Sequence, residues 1–369
     1  MRELVCSDVA RGLSPTPDRP DGEPRSLVRS VSFVGSFSGR IDLGTYASSL
    51  RGAMRHHVRH MTVIHLGGSP ARARAAARAA DRSEVIVLHH DFTTIAAAGR
   101  DTVADFAACC VRPLEAVVHT VPLDPTDAER ASLRVLARRA RLVVHTAAAR
   151  ARLTDRCGVE AHRITVIRHG ASPNHHLPAV SASTHPVVVT VGTVGSGSGV
   201  EHTIRAIARL RAAGSDVRYL VAADVQGSTT TRDALADLAR RCGVADLVEL
   251  VPARDWSTLR AVLRRADVVV VPAHEAGVVG TGVLVEALAA GKAIVATDGA
   301  DTRELARGGA IALVPAESAS RSASAINTVL TEPRVRLRME AAARSAGAAH
   351  DWRDVAARFA HVIAGELVD

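Results

Sequence analysis

Two glutamates on either side of a glycine-rich segment are the strongest chemical signal in this 369-residue chain. Glu275 precedes residues 277–282 (GVVGTG), and Glu286 follows them. An ionised carboxylate only accepts hydrogen bonds and can take two donors at once, so these side chains could hold hydroxyl groups of a ligand. For Glu286 the alternative is a first-turn glutamate that the helix macrodipole stabilises.

The surrounding apolar runs predict the elements that position these glutamates. A buried strand is predicted over residues 268–271, and a helix over residues 283–290 ends at Gly291. A second buried strand follows at residues 293–297. The glycine-rich segment is therefore predicted to be the loop between a strand and a helix.

The same alternation of strands and helices runs through the chain in two series. The first predicts strands at residues 31–37, 62–66, 84–88, 116–119, 142–145 and 165–167. The second predicts strands at residues 186–192, 218–222, 248–251, 268–271, 293–297 and 310–314. Such alternation indicates two α/β domains with parallel sheets covered on both faces, and residues 171–185 are predicted to link them. A ligand cleft is expected at the carboxyl ends of both sheets.

Both ends of the chain differ from this pattern. Residues 1–28 contain four prolines and no periodicity, which predicts a flexible tail. Between the first two predicted strands, a helix is predicted over residues 45–59, preceded by a loop. The last segment, residues 350–367, places Trp352, Val355 and Phe359 on one apolar stripe, which predicts an amphipathic helix.

Composition excludes several classes of protein. The net charge is +8, yet Lys292 is the only lysine and aromatic residues make up 2% of the chain. No basic and aromatic residues interleave to stack bases, so we expect no nucleic-acid partner, whereas peripheral membrane contact stays open. Five cysteines without CxxC spacing, and no apolar span or signal region, predict a reduced, cytoplasmic setting. His56, His57 and His60 could ligate zinc on a helix, but flanking arginines favour a solvated face.

The donor segment around Glu286 resembles that of GT-B glycosyltransferases, and of their family 4 in particular. The resemblance extends over most of the chain and implies two Rossmann-like domains facing a cleft. It places the first, acceptor-side domain at residues 29–175 and the second, nucleotide-sugar-binding domain at residues 176–348. Residues 349–369 would form a helix that crosses back onto the first domain.

The resemblance also implies roles for individual residues. Glu286 would accept hydrogen bonds from the ribose hydroxyls, and His119 (in AVVHT) would contact the sugar of the donor. Glu275 would be the second acid, although the family spacing of seven intervening residues points to Val278 and ten residues separate Glu275 from Glu286. Backbone groups of Gly280, Thr281, Gly282 and Val283 (GTGV) would hold the donor.

Residues 191–199 (VGTVGSGSG) resemble the phosphate-binding turn of the family, which includes Gly192. Relatives usually carry Arg or Lys at the positions of Thr193 and Ser198, so both cations are absent here. The rival interpretation, a dinucleotide-binding loop, fails because the glycines do not follow GxGxxG. Arg168, Arg205 or Arg303 could replace the missing charges.

On the acceptor side, residues 41–47 (IDLGTYA) resemble a family segment that approaches the sugar phosphate. Asp42 occupies a usual glycine position beside Gly44, and its charge would repel a diphosphate. His90 and Asp91 (LHHDF) resemble an acceptor-side HEY segment.

The resemblance implies a retaining glycosyltransferase that moves a sugar from a nucleotide sugar to a hydroxyl acceptor, without a metal or other cofactor. The alternative is a catalytically inactive relative that binds or regulates a protein partner. The substitutions at Asp42, Thr193, Ser198 and Val278 motivate that alternative.

Overall fold

The computed structural model describes residues 28–37, 41–92, 102–175, 185–195, 198–225, 229–253, 256–273, 281–365 and 367. The predicted tail up to residue 27 lies outside these ranges, as do Glu275, Val278 and Gly280. The side chains of Asp42 and Thr193 are likewise outside the description.

The first domain is a six-stranded parallel sheet in the order β2-β1-β3-β4-β5-β6. Its strands are β1 (Val28–Gly35), β2 (Val58–His65), β3 (Val85–His90), β4 (Leu114–Val118), β5 (Arg141–Val144) and β6 (Ile164–Val166). The described helices are α1 (Ile41–Ala53), α2 (Pro70–Ala80), α3 (Thr102–Cys109), α4 (Asp127–Arg139) and α5 (Ala147–Cys157). All six residues of β3 are buried, as expected for a parallel strand covered on both faces.

The second domain repeats the architecture in the order β12-β11-β10-β7-β8-β9. Its strands are β7 (Val187–Val194), β8 (Arg218–Val225), β9 (Val248–Pro252), β10 (Val268–Val271), β11 (Ile294–Thr297) and β12 (Ile311–Val314). The helices are α6 (Val200–Ala212), α7 (Thr229–Arg241), α8 (Trp256–Arg265), α9 (Thr281–Ala289), α10 (Ala300–Ala306), α11 (Ala319–Thr331) and α12 (Pro333–Ala348). The order reverses between β7 and β10, so the carboxyl edge there is a topological switch point.

The final helix, α13 (Trp352–Gly365), crosses back to the first domain as predicted. Trp352, Val355 and Phe359 join the core formed by α1 and one face of the first sheet. The start of α13 is fixed to the end of the first domain, since His350 Nδ1 lies 2.7 Å from the carbonyl oxygen of His169. Trp352 also packs directly on Gly170, where an added Cβ would lie 2.4 Å from the indole ring.

The structure corrects the predicted bounds of the first helix and the second strand. The helix predicted over residues 45–59 begins earlier, at Ile41, and ends at Ala53. Residues 54–56 form a 3-10 turn, and β2 starts at Val58 rather than residue 62. β2 is an edge strand with mostly exposed side chains, so it lacks the apolar run that marks buried strands. His56 therefore lies on the 3-10 turn and His60 on a strand, not together on a helix.

Candidate functional site

A small cavity of about 40 Å³ lies where the carboxyl edges of the two sheets meet. The first domain contributes residues that follow β4 and β5 and residues from the start of α5, and the second contributes Thr281 and Asp301. The described residues that line it are Val118, His119, Thr120, Val121, His145, Thr146, Ala149, Arg152, Thr281 and Asp301. Of the residues predicted for the site, the cavity brings together His119 and Thr281.

Charged contacts join the domains at one side of this cavity, and we call them the interdomain latch. Asp301 accepts a hydrogen bond from Thr146 Oγ1 and pairs with Arg152, with 2.7 Å between Arg152 Nη2 and Asp301 Oδ2. Glu304 accepts hydrogen bonds from the backbone N–H groups of Ala147 and Ala148, both at 3.1 Å. These N–H groups lie in the first turn of α5 and have no acceptor within the helix. The Glu304 carboxylate of the second domain is their acceptor, and its negative charge is favourable at the helix N-terminus.

Four neighbouring strands of the first sheet each end at a histidine. His89 lies on β3, His119 and His145 directly follow β4 and β5, and His169 follows β6. Their rings form a continuous row with centroid separations of 5.4 Å, 5.4 Å and 5.0 Å. Of these four histidines, only His119 was predicted as a site residue from the sequence. The repeated tetrapeptide VVHT, at residues 117–120 and 143–146, was the signal that could have revealed His145.

Tyr46 of α1 covers this row of histidines. Its ring centroid lies 4.7 Å from that of His119, 4.8 Å from His169 and 5.1 Å from Trp352. Within the described structure, Tyr46 Oη and the Nε2 atoms of His89 and His145 have no hydrogen-bond partner. Burial raises the pKa of Tyr46, lowers the pKa of His89 to about 3 and lowers that of His145 to about 4. The row is therefore uncharged at neutral pH.

His119 and His145 are the members of the row that line the cavity, and His119 is the one predicted from the sequence. Its Nε2 lies 3.1 Å from His89 Nδ1, so one of these nitrogens donates to the other. Burial, with repulsion from His89 and the other histidines, lowers the pKa of His119 well below its usual value. With Nε2 engaged, His119 offers Nδ1 of a neutral ring to a ligand. A neutral imidazole of low pKa is a weak base at pH 7, and hence suits hydrogen bonding to a hydroxyl better than proton abstraction.

The other side of the cavity is the N-terminus of α9. Thr281 lines the cavity, and a Cβ added at Gly282 would lie 2.9 Å from His169 Nε2, so this helix end touches the first domain. Val283 packs against Gly192, which has a φ of 120° at the end of β7. The phosphate-binding turn predicted around Gly192 therefore lies against the start of α9. Ser198 is half-buried, and its N–H donates to the carbonyl of Gly195 at 3.2 Å.

Glu286 lies in the second turn of α9 and is 3% exposed. Arg260 of α8 donates to both carboxylate oxygens, from Nε to Oε2 at 3.1 Å and from Nη2 to Oε1 at 2.8 Å. Burial raises the pKa of Glu286, and Arg260 acts in the opposite direction. Arg260 and Glu286 are 26 positions apart, so no local sequence pattern predicts their contact.

Three of the predicted acceptor-side residues, Gly44, His90 and Asp91, are not among the described residues that line the cavity. His90 is buried on β3 with its ring 4.5 Å from that of Phe92, and Asp91 is buried beside it. Asp42 and Gly44 belong to α1 rather than to the loop predicted there. Their predicted roles stay predictions, because the side chain of Asp42 is outside the described residues.

The arginines considered as replacement cations have other surroundings. Arg303 makes two 2.7 Å hydrogen bonds to Asp298, Arg205 lies 3.4 Å from His202, and Arg168 is exposed. Among the residues lining the cavity, the cation is instead Arg152. Across the described residues, no three His, Cys, Asp or Glu side chains are grouped to hold a metal ion, and no helix could cross a membrane.

Comparison with known proteins identifies the second domain. Residues 174–346 match the family described as Glycosyl transferases group 1. Among curated proteins, the chain is 29% identical over 205 residues to a D-inositol 3-phosphate glycosyltransferase of Nocardia farcinica, covering 52% of this chain and 45% of that protein. A protein of the same name from Rhodococcus opacus is 27% identical, over 85% of this chain and 70% of the relative. The matches thus span less than half of the Nocardia relative and about two thirds of the Rhodococcus one.

Solved structures show the same arrangement of domains. Anabaena Alr3699/HepE, crystallised with UDP and glucose, superposes with a TM-score of 0.74 at 16% identity, over 91% of this chain and all of that one. WaaG, a glycosyltransferase involved in lipopolysaccharide biosynthesis, gives a TM-score of 0.66 at 17% identity, over 90% of this chain and 99% of that one. The chain therefore has the GT-B fold, and its residues 174–346 are similar to the glycosyl transferases of group 1.

Proposed function

We propose that this protein is a retaining glycosyltransferase that transfers a sugar from a nucleotide-sugar donor to a hydroxyl acceptor. The observation that carries the proposal is the cavity in which His119 faces Thr281 at the N-terminus of α9. The names of the curated relatives and the UDP bound to the HepE neighbour support a nucleotide-sugar donor. Retention and the hydroxyl acceptor rest on the family resemblance.

In this proposal the start of α9 holds the diphosphate. The first N–H groups of a helix lack intrahelical partners, and the positive end of the dipole favours an anion. Glu286, in the second turn of the same helix, accepts hydrogen bonds from the ribose. His119 donates to or accepts from a hydroxyl of the transferred sugar.

The chemistry then needs no protein nucleophile. His119 is neutral and weakly basic because burial lowers its pKa, so we do not propose that it removes the proton from the acceptor hydroxyl. We propose that the leaving phosphate takes that proton while the acceptor oxygen attacks the same face of the sugar. The new glycosidic bond forms as the bond to the diphosphate breaks, which retains the configuration.

A thermal-shift panel with UDP, GDP, ADP and their common sugar conjugates tests the donor site. A ligand at about a hundred times its Kd stabilises by about 2.7 kcal/mol, which raises the melting temperature by a few degrees. The nucleotide that produces a shift is then tested as a sugar conjugate, with release of the nucleoside diphosphate measured. His119→Ala should lower this release and leave nucleotide binding in place, whereas His60→Ala, an exposed control, should change neither.

The inactive alternative predicts a different result. It rests on Asp42, Thr193, Ser198 and Val278, of which only the Ser198 side chain is described. If no nucleotide or nucleotide sugar raises the melting temperature, the proposed transferase function is wrong and the search moves to protein partners.

A further inference from the structure

The pair formed by Arg260 and Glu286 joins two helices of the second domain. The guanidinium of Arg260 on α8 engages both oxygens of the Glu286 carboxylate on α9, at 3.1 Å and 2.8 Å. The Glu286 side chain is 4% exposed and that of Arg260 is 24% exposed. The arrangement is the two-point fork by which arginine orients a carboxylate.

Other contacts already hold α8 against α9. Asn174 donates from Nδ2 to the carbonyl of Arg260 and accepts from Nη1 of Arg264, both at 3.1 Å. The backbone N–H of Asn174 donates to the carbonyl of Ala289 at the end of α9. Lys292 Nζ donates to the carbonyls of Arg264 and Ala266 at 3.1 Å and 2.8 Å. The ion pair is therefore not needed merely to join the two helices.

Neighbouring charged groups do not replace Arg260 beside Glu286. On the elements packed around α9, Asp301 is paired with Arg152, and Arg303 is paired with Asp298. Lys292 faces the end of α8, and Arg344 of α12 packs against Gly291. Among the described residues, Arg260 is the charged side chain that acts on the Glu286 carboxylate.

A carboxylate offers about four acceptor positions, of which the fork of Arg260 takes two. Two positions stay available for hydroxyl donors, provided that the carboxyl group is ionised. Burial of the Glu286 carboxyl group opposes its ionisation. A protonated carboxyl group has a donor O–H in place of one acceptor, so it could not accept hydrogen bonds from two hydroxyls equally well.

We propose that Arg260 is a positioning residue that holds Glu286 as an oriented, ionised acceptor for the two hydroxyls of the nucleotide ribose. This inference rests on the proposed function. Arg260 acts through Glu286, so its removal should weaken recognition of the ribose rather than of the diphosphate. The effect should also depend on pH, because Glu286 without its cation would bind a proton more readily.

The test measures the Kd of the nucleoside diphosphate selected by the thermal-shift panel and of its 2′-deoxy analogue, between about pH 5.5 and pH 8.5. We expect Arg260→Met to weaken binding of the ribonucleotide by about tenfold or more near pH 6, with recovery as the pH rises. The variant should also lose the preference of the wild-type protein for ribose over 2′-deoxyribose. Arg260→Lys keeps the charge without the fork, so it should show a smaller loss and little pH dependence.

Arg264→Met is the matched control, because Arg264 lies one turn further along α8 and contacts Asn174 rather than Glu286. It should keep the wild-type Kd and pH profile. If Arg260→Met keeps both the ribose preference and the wild-type pH profile, the role of Arg260 is wrong while nucleotide binding stands. If Arg260→Met does not fold, the test uses Arg260→Lys. The positioning role is then wrong if Arg260→Lys keeps both the wild-type affinity and the wild-type preference for ribose. If the wild-type protein binds no nucleotide, the proposed function and this inference both fail.

Discussion

Removal of Asp301 should destabilise the protein more than any exposed charge substitution. Asp301 and Arg152 have side chains that are 7% and 11% exposed and lie on different domains. Within the described structure, Nε and Nη1 of Arg152 already lack hydrogen-bond partners. Asp301→Ala would therefore leave the whole guanidinium buried without a counter-charge. Loss of one partner from a buried pair costs about 3–5 kcal/mol.

The assay is thermal unfolding of the wild-type protein and of three variants. At about 2–4 °C per kcal/mol, the conversion for a cooperative unit the size of one of the two domains, the melting temperature of Asp301→Ala should fall by about 6–20 °C. Adding Arg152→Met removes the stranded charge, so the double variant should recover most of the loss, with a coupling of at least about 2 kcal/mol. Asp298→Ala is the control: it breaks the exposed pair with Arg303, at 64% and 33% exposure, and should cost no more than about 1 kcal/mol.

The interpretation of the latch can be refuted directly. If Asp301→Ala melts as the wild-type protein does, the Arg152–Asp301 pair contributes nothing to stability. If the double variant is no more stable than Asp301→Ala alone, a stranded Arg152 is not the cause of the loss. Either result would remove the physical basis for treating these contacts as the closure between domains.

The histidine row makes two further predictions. The first concerns His89→Phe, which keeps a ring in the row but removes the hydrogen-bond partner of His119 Nε2. Turnover should fall about tenfold with nucleotide affinity unchanged, and ¹⁵N NMR should report a changed His119 tautomer. Unchanged turnover and an unchanged tautomer would contradict this prediction. Because His89 and His145 have pKa values of about 3 and about 4 when folded, the unfolded chain binds more protons below about pH 6.5. The free energy of unfolding should therefore be highest above that pH and fall as the pH decreases towards about 4 in urea titrations. His145→Gln should flatten this decrease and exposed His60→Gln should not, and a flat wild-type profile would refute the assignment.

Much of the fold could be predicted from local patterns. The apolar runs that form β10 and β11, and the apolar helix between them, were placed within a few residues of their observed bounds. The crossing helix was found because Trp352, Val355 and Phe359 share one stripe. β2 and the end of α1 were misplaced, because an exposed edge strand has neither a continuous apolar run nor a clear alternation. The helix α12 (Pro333–Ala348) was not predicted, since only Met339, Ala343 and Gly347 are buried on it.

Residues of the site were predicted only where they belong to a recognisable sequence motif. His119 and Thr281 were identified from sequence segments, and the structure places both at one cavity. The histidines that accompany His119 were missed although each lies at or just beyond the end of a strand, because sequence does not show which strands are neighbours in the sheet. Once the order β3-β4-β5-β6 is known, their meeting follows from the common direction of the parallel strands.

The sequence by itself determined most of the elements, their alternation and the glycine-rich connections, because apolar period, caps and turn residues act over only a few positions. The tertiary structure alone decided the partners of the charged groups. Glu286 meets Arg260 across 26 positions, and Thr146 meets Asp301 across 155. Such pairs depend on how helices cross and how the domains close, and a buried charge is stable only where that packing supplies its counterpart.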